Sequence, residues 1–374
     1  MLQVLLVSPQ DPVVPGALKF LVGGENTYTT TLLKYPPKGI KYVHFEEALK
    51  RGFIEYLPEN KILGFLVKLR ILPLSSGSRC LKLNAKFDLV HCHGFSVKIE
   101  PSNIPVVLSD SSSNYLFLKD YVNWPEWRIK LGYFLRKNLF NWLGVIDSDT
   151  NPDGAKKVIV FSKFAQKLHL KLRVPKEKLV VVQPGLQIQK ANSSVGDDKR
   201  VNILFVGTWF ERKGGHILLE AFEKLSKKFF NVRLTIVGEV PNKLKVESEK
   251  LKVYKYVTRE RLMSELFPKA DIFVLVPPKV EGYGFSVVEA MSFGIPVIVS
   301  NVCALPELVE DGKSGFVVKP GSIDDLVEKI ERLVANKSLR EKMGELAKKR
   351  FEHNFTVEKS NEQLLEVFKN STLS

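Results

Sequence analysis

Short apolar runs alternate along the chain with longer stretches in which apolar positions recur every third or fourth residue. The short runs predict buried strands of parallel sheets, and the periodic stretches predict the helices that cover them. In the first half the predicted strands are Val4–Ser8, Asp88–Cys92, Val106–Ser109, Val158–Ser162 and Leu179–Val182. In the second half they are Asn202–Val206, Arg233–Val237, Asp271–Val276 and Pro296–Ser300, and the last predicted helices are Ile323–Ala335, Leu339–Phe351 and Val357–Asn370. This alternation predicts an α/β fold with doubly wound sheets.

The chain of 374 residues is long for one hydrophobic core, so two domains are expected. Residues 191–199 are polar and lack apolar periodicity, and we predict that they form the linker. The predicted N-terminal domain is 1–190 and the C-terminal domain is 200–355. The two are expected to face each other across a cleft at the carboxyl ends of their strands. A C-terminal helix within 356–374 is expected to pack back on the N-terminal domain.

Composition is that of a globular protein, with 44% hydrophobic and 26% charged residues. No apolar run approaches the roughly 18 residues that span a bilayer. Three cysteines make no disulfide framework, so we expect a cytoplasmic chain.

The positive charge is concentrated in the first half. Residues 1–195 hold 27 Lys and Arg against 15 Asp and Glu, a balance of +12, whereas the remainder holds 29 against 26, or +3. This asymmetry favours an anionic partner such as a phosphorylated substrate, nucleic acid or an acidic membrane surface. Solubility alone would account for it equally well.

The stretch EGYGFSVVE, which begins at Glu281, places two carboxylates eight positions apart around a glycine loop and the start of a helix. Glycines allow a close backbone approach, and a helix N-terminus suits a phosphate. The alternative is local structure, because Ser286-Val-Val-Glu289 matches a capping box and Glu281 could be an exposed loop acid.

A second motif, GTWFERKGG, follows the predicted strand Asn202–Val206. Arg212 and Lys213 would form a cationic clamp for phosphate oxygens at a strand-to-helix turn. A solvated basic turn is the alternative. The motif is not the phosphate loop of the NTPases, whose glycine and lysine spacing it lacks.

These two motifs, with AMSFGIPVIVSNVCALPELVEDGKSGFVV after the second glutamate, resemble family 4 of the glycosyltransferases. The resemblance implies the GT-B fold, made of two Rossmann-like domains, and a retaining enzyme that uses a nucleoside-diphosphate sugar. The acceptor would be a glycan, a lipid-linked sugar or a small molecule. The alternative is a non-catalytic GT-B module that binds a sugar nucleotide or partners an active homologue.

The resemblance also implies roles for individual residues. Glu281 would bind hydroxyls of the donor sugar and Glu289 the ribose hydroxyls, while Arg212 and Lys213 would neutralise the diphosphate. The further residues that match the family's donor site are Gly23, Gly24, Gly207, Gly284, Phe285, Ser286 and Val287, the last three of which would assist through their backbone N–H groups.

The acceptor side matches the family less closely. His93 ends the strand that carries the family's His-Gly pair, and we expect it at the cleft as a candidate catalytic residue. The family commonly has a histidine after the next strand, where this chain has Asp110. An acid there could hydrogen-bond the sugar or the acceptor.

No cofactor and no catalytic metal are expected. Asp147-Ser-Asp149 mimics the metal clamp of the other major glycosyltransferase fold, but its turn-rich surroundings predict a solvated turn. His91 and His93 fall on one strand face without further ligands that would complete a zinc site.

Aromatic and basic residues alternate in Tyr115–Trp142, which suits a membrane interface or a lipid-linked acceptor. We therefore expect that the chain can associate peripherally with the anionic cytoplasmic membrane face. An internal helix with ordinary core aromatics is the alternative. No nucleic-acid-binding motif supports a nucleic-acid partner.

Overall fold

The computed structural model describes residues 1–8, 24–57, 78–187, 200–244 and 248–373. The predicted linker, 191–199, and Gly23 lie outside these ranges. The chain divides into two compact units. Residues Met1–Gly185 and Val357–Ser374 form the N-terminal unit, and Leu186–Thr356 form the C-terminal unit.

The N-terminal unit is organised around a parallel sheet. Its strands are β1 (Leu2–Val7), β2 (Ile40–His44), β3 (Ile54–Tyr56), β4 (Ser78–Leu83), β5 (Leu89–His93), β6 (Ser96–Glu100), β7 (Val106–Asp110), β8 (Lys157–Val160) and β9 (Leu179–Val181). Within the described residues, six of them pair in parallel in the order β2-β1-β5-β7-β8-β9, and the other three form a small mixed sheet, β3-β4-β6.

Helices cover this sheet. They are α1 (Gly24–Lys34), α2 (Phe45–Lys50), α3 (Asn114–Leu116), α4 (Glu126–Leu143) and α5 (Lys163–Lys171), with a π-helical turn at Phe117–Tyr121 and a 3-10 turn at Lys176–Lys178. The strands read as continuous apolar runs because the sheet is covered on both faces, as Leu5, Val90 and Val158 show by their complete burial.

The C-terminal unit repeats the architecture. Its strands are β10 (Val201–Val206), β11 (Val232–Val237), β12 (Leu251–Tyr254), β13 (Ile272–Leu275), β14 (Val297–Ser300) and β15 (Gly315–Val318). They pair in parallel in the order β12-β11-β10-β13-β14-β15. The order reverses between β10 and β13, which makes the gap between their carboxyl ends the topological switch point of this sheet.

The helices of this unit are α6 (Gly215–Lys228), α7 (Arg259–Arg261), α8 (Phe285–Ser292), α9 (Leu305–Leu308), α10 (Ile323–Ala335) and α11 (Lys337–Asn354). Shorter helical turns are Asn242–Leu244, Leu262–Leu266 and Phe267–Lys269. Helix α10 begins at the Ser322 cap and has the predicted bounds. Helix α11 begins two residues before its predicted start because the Asn336 side chain accepts the Leu339 N–H at 2.9 Å.

The last helix, α12 (Val357–Thr372), belongs to the N-terminal unit. Its Phe368 ring lies 5.3 Å from the ring of His91 and 6.3 Å from that of Tyr42. Asn361 Nδ2 donates to the carbonyl of Tyr35 at 3.0 Å. No helix in the described ranges is both long and apolar enough to cross a membrane.

The Asp147 loop corrects one expectation, because Asp147 and Asp149 are buried rather than solvated. Asp147 Oδ2 forms an ion pair with Arg136 at 2.9 Å, and its Oδ1 accepts backbone N–H groups from residues 149, 150 and 151. Asp149 Oδ2 accepts the Tyr133 hydroxyl at 2.9 Å. The turn-forming residues do make a tight turn, but it folds inward because Arg136, on α4, supplies a buried countercharge.

We expect Asp147→Asn to destabilise the N-terminal unit by about 3–5 kcal/mol, because it leaves the Arg136 charge buried and unpaired. Chemical unfolding followed by tryptophan fluorescence is a suitable measurement, since three of the four tryptophans lie in this unit. Asp153→Asn, an exposed change in the same loop, is the control and should alter stability by less than about 0.5 kcal/mol. Equal stability of the two variants would show that the ion pair is dispensable.

Candidate active site

Two loops leave the C-terminal sheet at its topological switch point. One, Gly207–Gly214, joins β10 to α6, and the other, Pro277–Gly284, joins β13 to α8. Because β10 and β13 are parallel neighbours, both loops begin at the same edge of the sheet. Ligands of open α/β sheets bind at such an edge.

Gly214 allows the backbones of the two loops to approach each other closely. Its φ is +83°, and a Cβ at this position would lie 2.0 Å from the carbonyl oxygen of Val276. Only glycine permits both the left-handed conformation and this approach. As a result, the residues just before Gly214 lie beside those that follow Val276.

This approach creates a cation–carboxylate cluster of Arg212, Lys213 and Glu281. Lys213 Nζ lies 3.2 Å and Arg212 Nη1 3.5 Å from Glu281 Oε2. Arg212 also donates to the carbonyl of Val280 at 3.3 Å. All three side chains are largely buried. The cluster therefore holds two cations against one carboxylate at the sheet edge, and it can receive a further anion.

Burial alone would raise the pKa of Glu281, but the charges of Lys213 and Arg212, with hydrogen bonds from Lys213 and the Gly282 backbone, lower it below its ordinary value. The carboxylate is therefore ionised at neutral pH. Because the pKa of Glu281 is lower in the folded state, the ionised carboxylate stabilises the fold at pH values above the ordinary glutamate pKa. This stabilisation is lost as the pH falls through the lowered pKa.

Helix α8 begins beside this cluster. Gly284, with φ +94°, is its N-cap, and no side chain caps the helix. Ser286 Oγ is buried without a hydrogen-bond partner among the described residues. The Val287 N–H donates to the Gly284 carbonyl at 2.9 Å, which corrects the expectation that it is available to a ligand. The expected ligand contacts of the Phe285 and Ser286 amides stay predictions, and both residues lie in the first turn of the helix, at its positive end.

Glu289 is not part of a capping box. Ser286 is the second residue of α8, so the S-x-x-E pattern lies inside the helix instead of at its start. The carboxylate is buried, and its Oε1 accepts a hydrogen bond from Arg259 Nη1 at 2.7 Å. A buried carboxylate with a cationic partner at this edge of the sheet is suited to bind a polar ligand.

Sequence reasoning missed Arg259. It opens α7 after β12, and Thr258 caps that short helix. Thirty residues separate it from Glu289. The signal that could have found it is positional, because an Arg that follows a strand of the same parallel sheet lies at the same edge as the two site loops.

The remaining predicted residues lie in the N-terminal unit. Gly24 is the first residue of α1. His93 ends β5 and is fully buried, with Nδ1 3.0 Å from Ser109 Oγ, and its expected position at the cleft stays a prediction. Asp110, at the end of β7, is half-buried and accepts hydrogen bonds from the Ser148 hydroxyl and the Ser112 N–H.

Burial also changes the pKa of His91, which lies on the same strand as His93. It lowers the pKa of His91 to about 3, with a smaller contribution from the charge of His93, so His91 is a neutral core residue.

Three potential metal-ligand atoms lie within 4.8 Å of one another, one each from Asp110, Asp149 and His169. His169 Nδ1 lies 2.9 Å from the Ala165 carbonyl, and its Nε2 lies 3.5 Å from Asp149 Oδ1. The group belongs to the N-terminal unit and contains none of the residues of the cation–carboxylate cluster.

Several known proteins that are similar to this chain are glycosyltransferases by name. The family model described as "Glycosyl transferases group 1" matches residues 187–350. A glycosyltransferase of Methanocaldococcus jannaschii is 30% identical over 285 residues, which cover 73% of this chain and 72% of the relative. The capsular polysaccharide biosynthesis glycosyltransferase CapM of Staphylococcus aureus is 29% identical, but that match covers only 44% of each chain.

Solved structures show the fold. HepE of Anabaena aligns with a TM-score of 0.65 and 16% identity over 99% of both chains. A glycosyltransferase of Rickettsia africae aligns with a TM-score of 0.67 and 18% identity over 99% of this chain and 98% of its own. These neighbours are GT-B glycosyltransferases, and the predicted fold class is confirmed. The chain belongs to the group 1 glycosyltransferases.

Proposed function

We propose that this chain is a retaining glycosyltransferase that transfers a sugar, a hexose, from a nucleoside-diphosphate sugar to a glycan, lipid-linked or small-molecule acceptor. The observation that carries the proposal is the cluster of Arg212, Lys213 and Glu281 at the switch point, next to the N-terminus of α8. Two cations and a helix N-terminus suit a diphosphate, and a carboxylate beside them suits the hydroxyls of the attached sugar.

The solved neighbours support this class of donor. HepE has been solved with UDP-glucose, with UDP and with UDP and glucose, and a variant of TarM with UDP and α-GlcNAc-glycerol. By analogy, Arg212 and Lys213 would bind the diphosphate of the donor. Gly207 lies next to them, because a Cβ there would come within 2.9 Å of Lys213 Cδ.

In the proposed reaction, the bond between the anomeric carbon and the diphosphate oxygen breaks, and its electron pair leaves with the nucleoside diphosphate. The acceptor oxygen attacks from the same face, and its proton passes to the departing phosphate. Arg212 and Lys213 stabilise the charge that develops on this leaving group, which is where preorganised charge lowers a barrier. Glu281, ionised and buried, holds the sugar by its hydroxyls.

We further propose that the reaction needs no divalent metal and no cofactor, because side chains and a helix terminus would meet the diphosphate charge. On the acceptor side we assign Asp110, whose carboxylate is half-buried at the end of β7, to a hydroxyl of the sugar or acceptor. His93 receives no direct role, since its complete burial favours support of the strand end.

Lys213→Ala should reduce turnover by a factor that corresponds to about 2–4 kcal/mol of lost transition-state stabilisation. This is comparable to the loss of one preorganised hydrogen-bond donor to the transition state. The measurement is initial rates with UDP-, GDP- and ADP-sugars, with NMR of the product to show that the anomeric configuration is kept. Lys224→Ala, which alters an exposed lysine of α6, should leave the rate unchanged.

Wild-type turnover by the Lys213 variant would contradict the assignment of the clamp, and an inverted product would contradict retention. The same assay in EDTA should proceed at an unchanged rate. Activity that is lost in EDTA and returns with magnesium or manganese would overturn metal independence.

The two glutamates should affect different parts of the donor. Glu281→Gln should lower sugar transfer, because Glu281 is proposed to hold the sugar hydroxyls. It should not weaken nucleoside-diphosphate binding, because the change removes a countercharge from the two cations that bind the diphosphate. We assign Glu289 to the ribose hydroxyls, so Glu289→Gln should weaken nucleoside-diphosphate binding about tenfold through the loss of one hydrogen bond to a charged group. Calorimetric titration of each variant is the measurement. Reversed effects would exchange the two roles.

We also propose that the enzyme works at an anionic membrane surface and docks through helix α4. Three aromatic side chains of this helix are exposed, Trp127 by 67%, Phe134 by 65% and Trp142 by 71%. Ile129, Gly132 and Phe140 face the core instead. The alternative of an internal helix with core aromatics therefore does not hold for the exposed face of α4. An exposed apolar face of this kind marks an interaction site.

The charges around this face favour an anionic partner. Lys119 and Lys137 are exposed, and Arg128 lies 4.1 Å from the ring centre of Trp124. Lys130 is also exposed, but it forms an ion pair with Glu126 at 3.0 Å. Arg136 does not contribute, because it is buried against Asp147. Each basic residue near an anionic surface adds about 1 kcal/mol, so Lys119, Arg128 and Lys137 with three aromatic side chains would give reversible, salt-sensitive binding.

Vesicle co-sedimentation tests this docking surface. The wild type should bind anionic vesicles at low salt, and binding should fall at high salt and with neutral lipids. Replacing Trp127 and Phe134 together with Ser should weaken binding at least tenfold, because burial of an aromatic side chain contributes about 1.5–3 kcal/mol. Phe230→Ser, which removes an aromatic that is 87% exposed in the C-terminal unit, is the control. Equal binding by all three proteins would exclude α4 as the membrane surface.

A further inference from the structure

The carboxylate of Glu289 has an asymmetric environment. Oε1 accepts the Arg259 hydrogen bond at 2.7 Å. Among the described residues, no other side chain or backbone N–H donates to this carboxylate. Each carboxylate oxygen offers two lone pairs, so Oε2 keeps its full capacity to accept hydrogen bonds.

Arg259 provides for Glu289 what a buried carboxylate needs. An ionised carboxylate away from water is costly unless a countercharge and hydrogen bonds accompany it. Arg259 is always charged, and its planar guanidinium fixes the direction of the bond it makes. Its own side chain is half exposed, whereas that of Glu289 is buried, so the pair spans from solvent into the site.

We propose that Arg259 is a positioning residue for nucleotide recognition: it holds Glu289 by Oε1 so that Oε2 accepts from the vicinal hydroxyls of the ribose. This inference rests on the proposed function, which gives the ribose to Glu289. A carboxylate that is fixed before the ligand arrives loses less conformational entropy on binding, and this increases the affinity for the ribose.

The chain offers a matched control two residues away on the same short helix. Arg261 also forms an ion pair, with Glu265 at 3.1 Å, but both partners are about half exposed and neither belongs to the site. Arg259→Ala and Arg261→Ala remove the same side chain from α7, so a loss confined to Arg259→Ala is not a general effect of removing an arginine from this helix.

The experiment is calorimetric titration of the wild type, Arg259→Ala, Arg259→Lys and Arg261→Ala with UDP, GDP and ADP, and with the 2′,3′-dideoxy form of the nucleotide that binds best. Arg259→Ala should bind the ribose nucleotide 10- to 100-fold more weakly, Arg259→Lys should recover part of this loss, and Arg261→Ala should match the wild type. With the dideoxy nucleotide, the wild type and Arg259→Ala should bind equally.

Two results would overturn the inference alone. A loss in Arg259→Ala that is as large for the dideoxy nucleotide would show that Arg259 acts on the base, on the diphosphate or on the fold. Unchanged or tighter binding by Arg259→Ala would show that Arg259 is dispensable or competes with the ribose. If the wild type bound none of the three nucleotides, the proposed function would fail and the inference with it.

Discussion

The close approach of two loops at the carboxyl edge of the C-terminal sheet is the constraint on which the candidate site depends. Gly214 lets the loop after β10 reach the backbone of the loop after β13, and the approach brings Lys213 and Arg212 to Glu281. A side chain at Gly214 would separate the loops, since it would clash with a backbone carbonyl that cannot move away. The cluster is thus a consequence of strand order and of one residue without a Cβ.

Much of the fold could be predicted because its signals are local. Helix α10 has its predicted bounds, since a serine cap and a regular apolar stripe of Leu326, Ile330 and Leu333 specify it within one segment. The buried strands follow in the same way from continuous apolar runs. The Arg212–Lys213 turn was also found locally, although its proximity to Glu281 depends on the order of the strands in the sheet.

Sequence reasoning was wrong or incomplete where a distant residue decides the local environment. The loop at Asp147 has the composition of an exposed turn, but Arg136 on α4 draws it into the core. Glu289 matches a capping pattern, but Gly284 begins the helix and Arg259, thirty residues away, takes the carboxylate. The aromatic pattern of α4 indicates an amphipathic helix, but only the packed structure shows that Trp127 and Phe134 are on its uncovered side.

The charge of the cation–carboxylate cluster has a kinetic consequence. Two cations and one ionised carboxylate leave a net charge of about +1 before any ligand arrives. In the proposed reaction, the sugar leaves and exposes a terminal phosphate, which gains negative charge near neutral pH. The spent nucleotide is then more strongly attracted to the cluster than the intact donor was. A site of this kind favours product inhibition, and nucleotide release would limit the rate of the catalytic cycle.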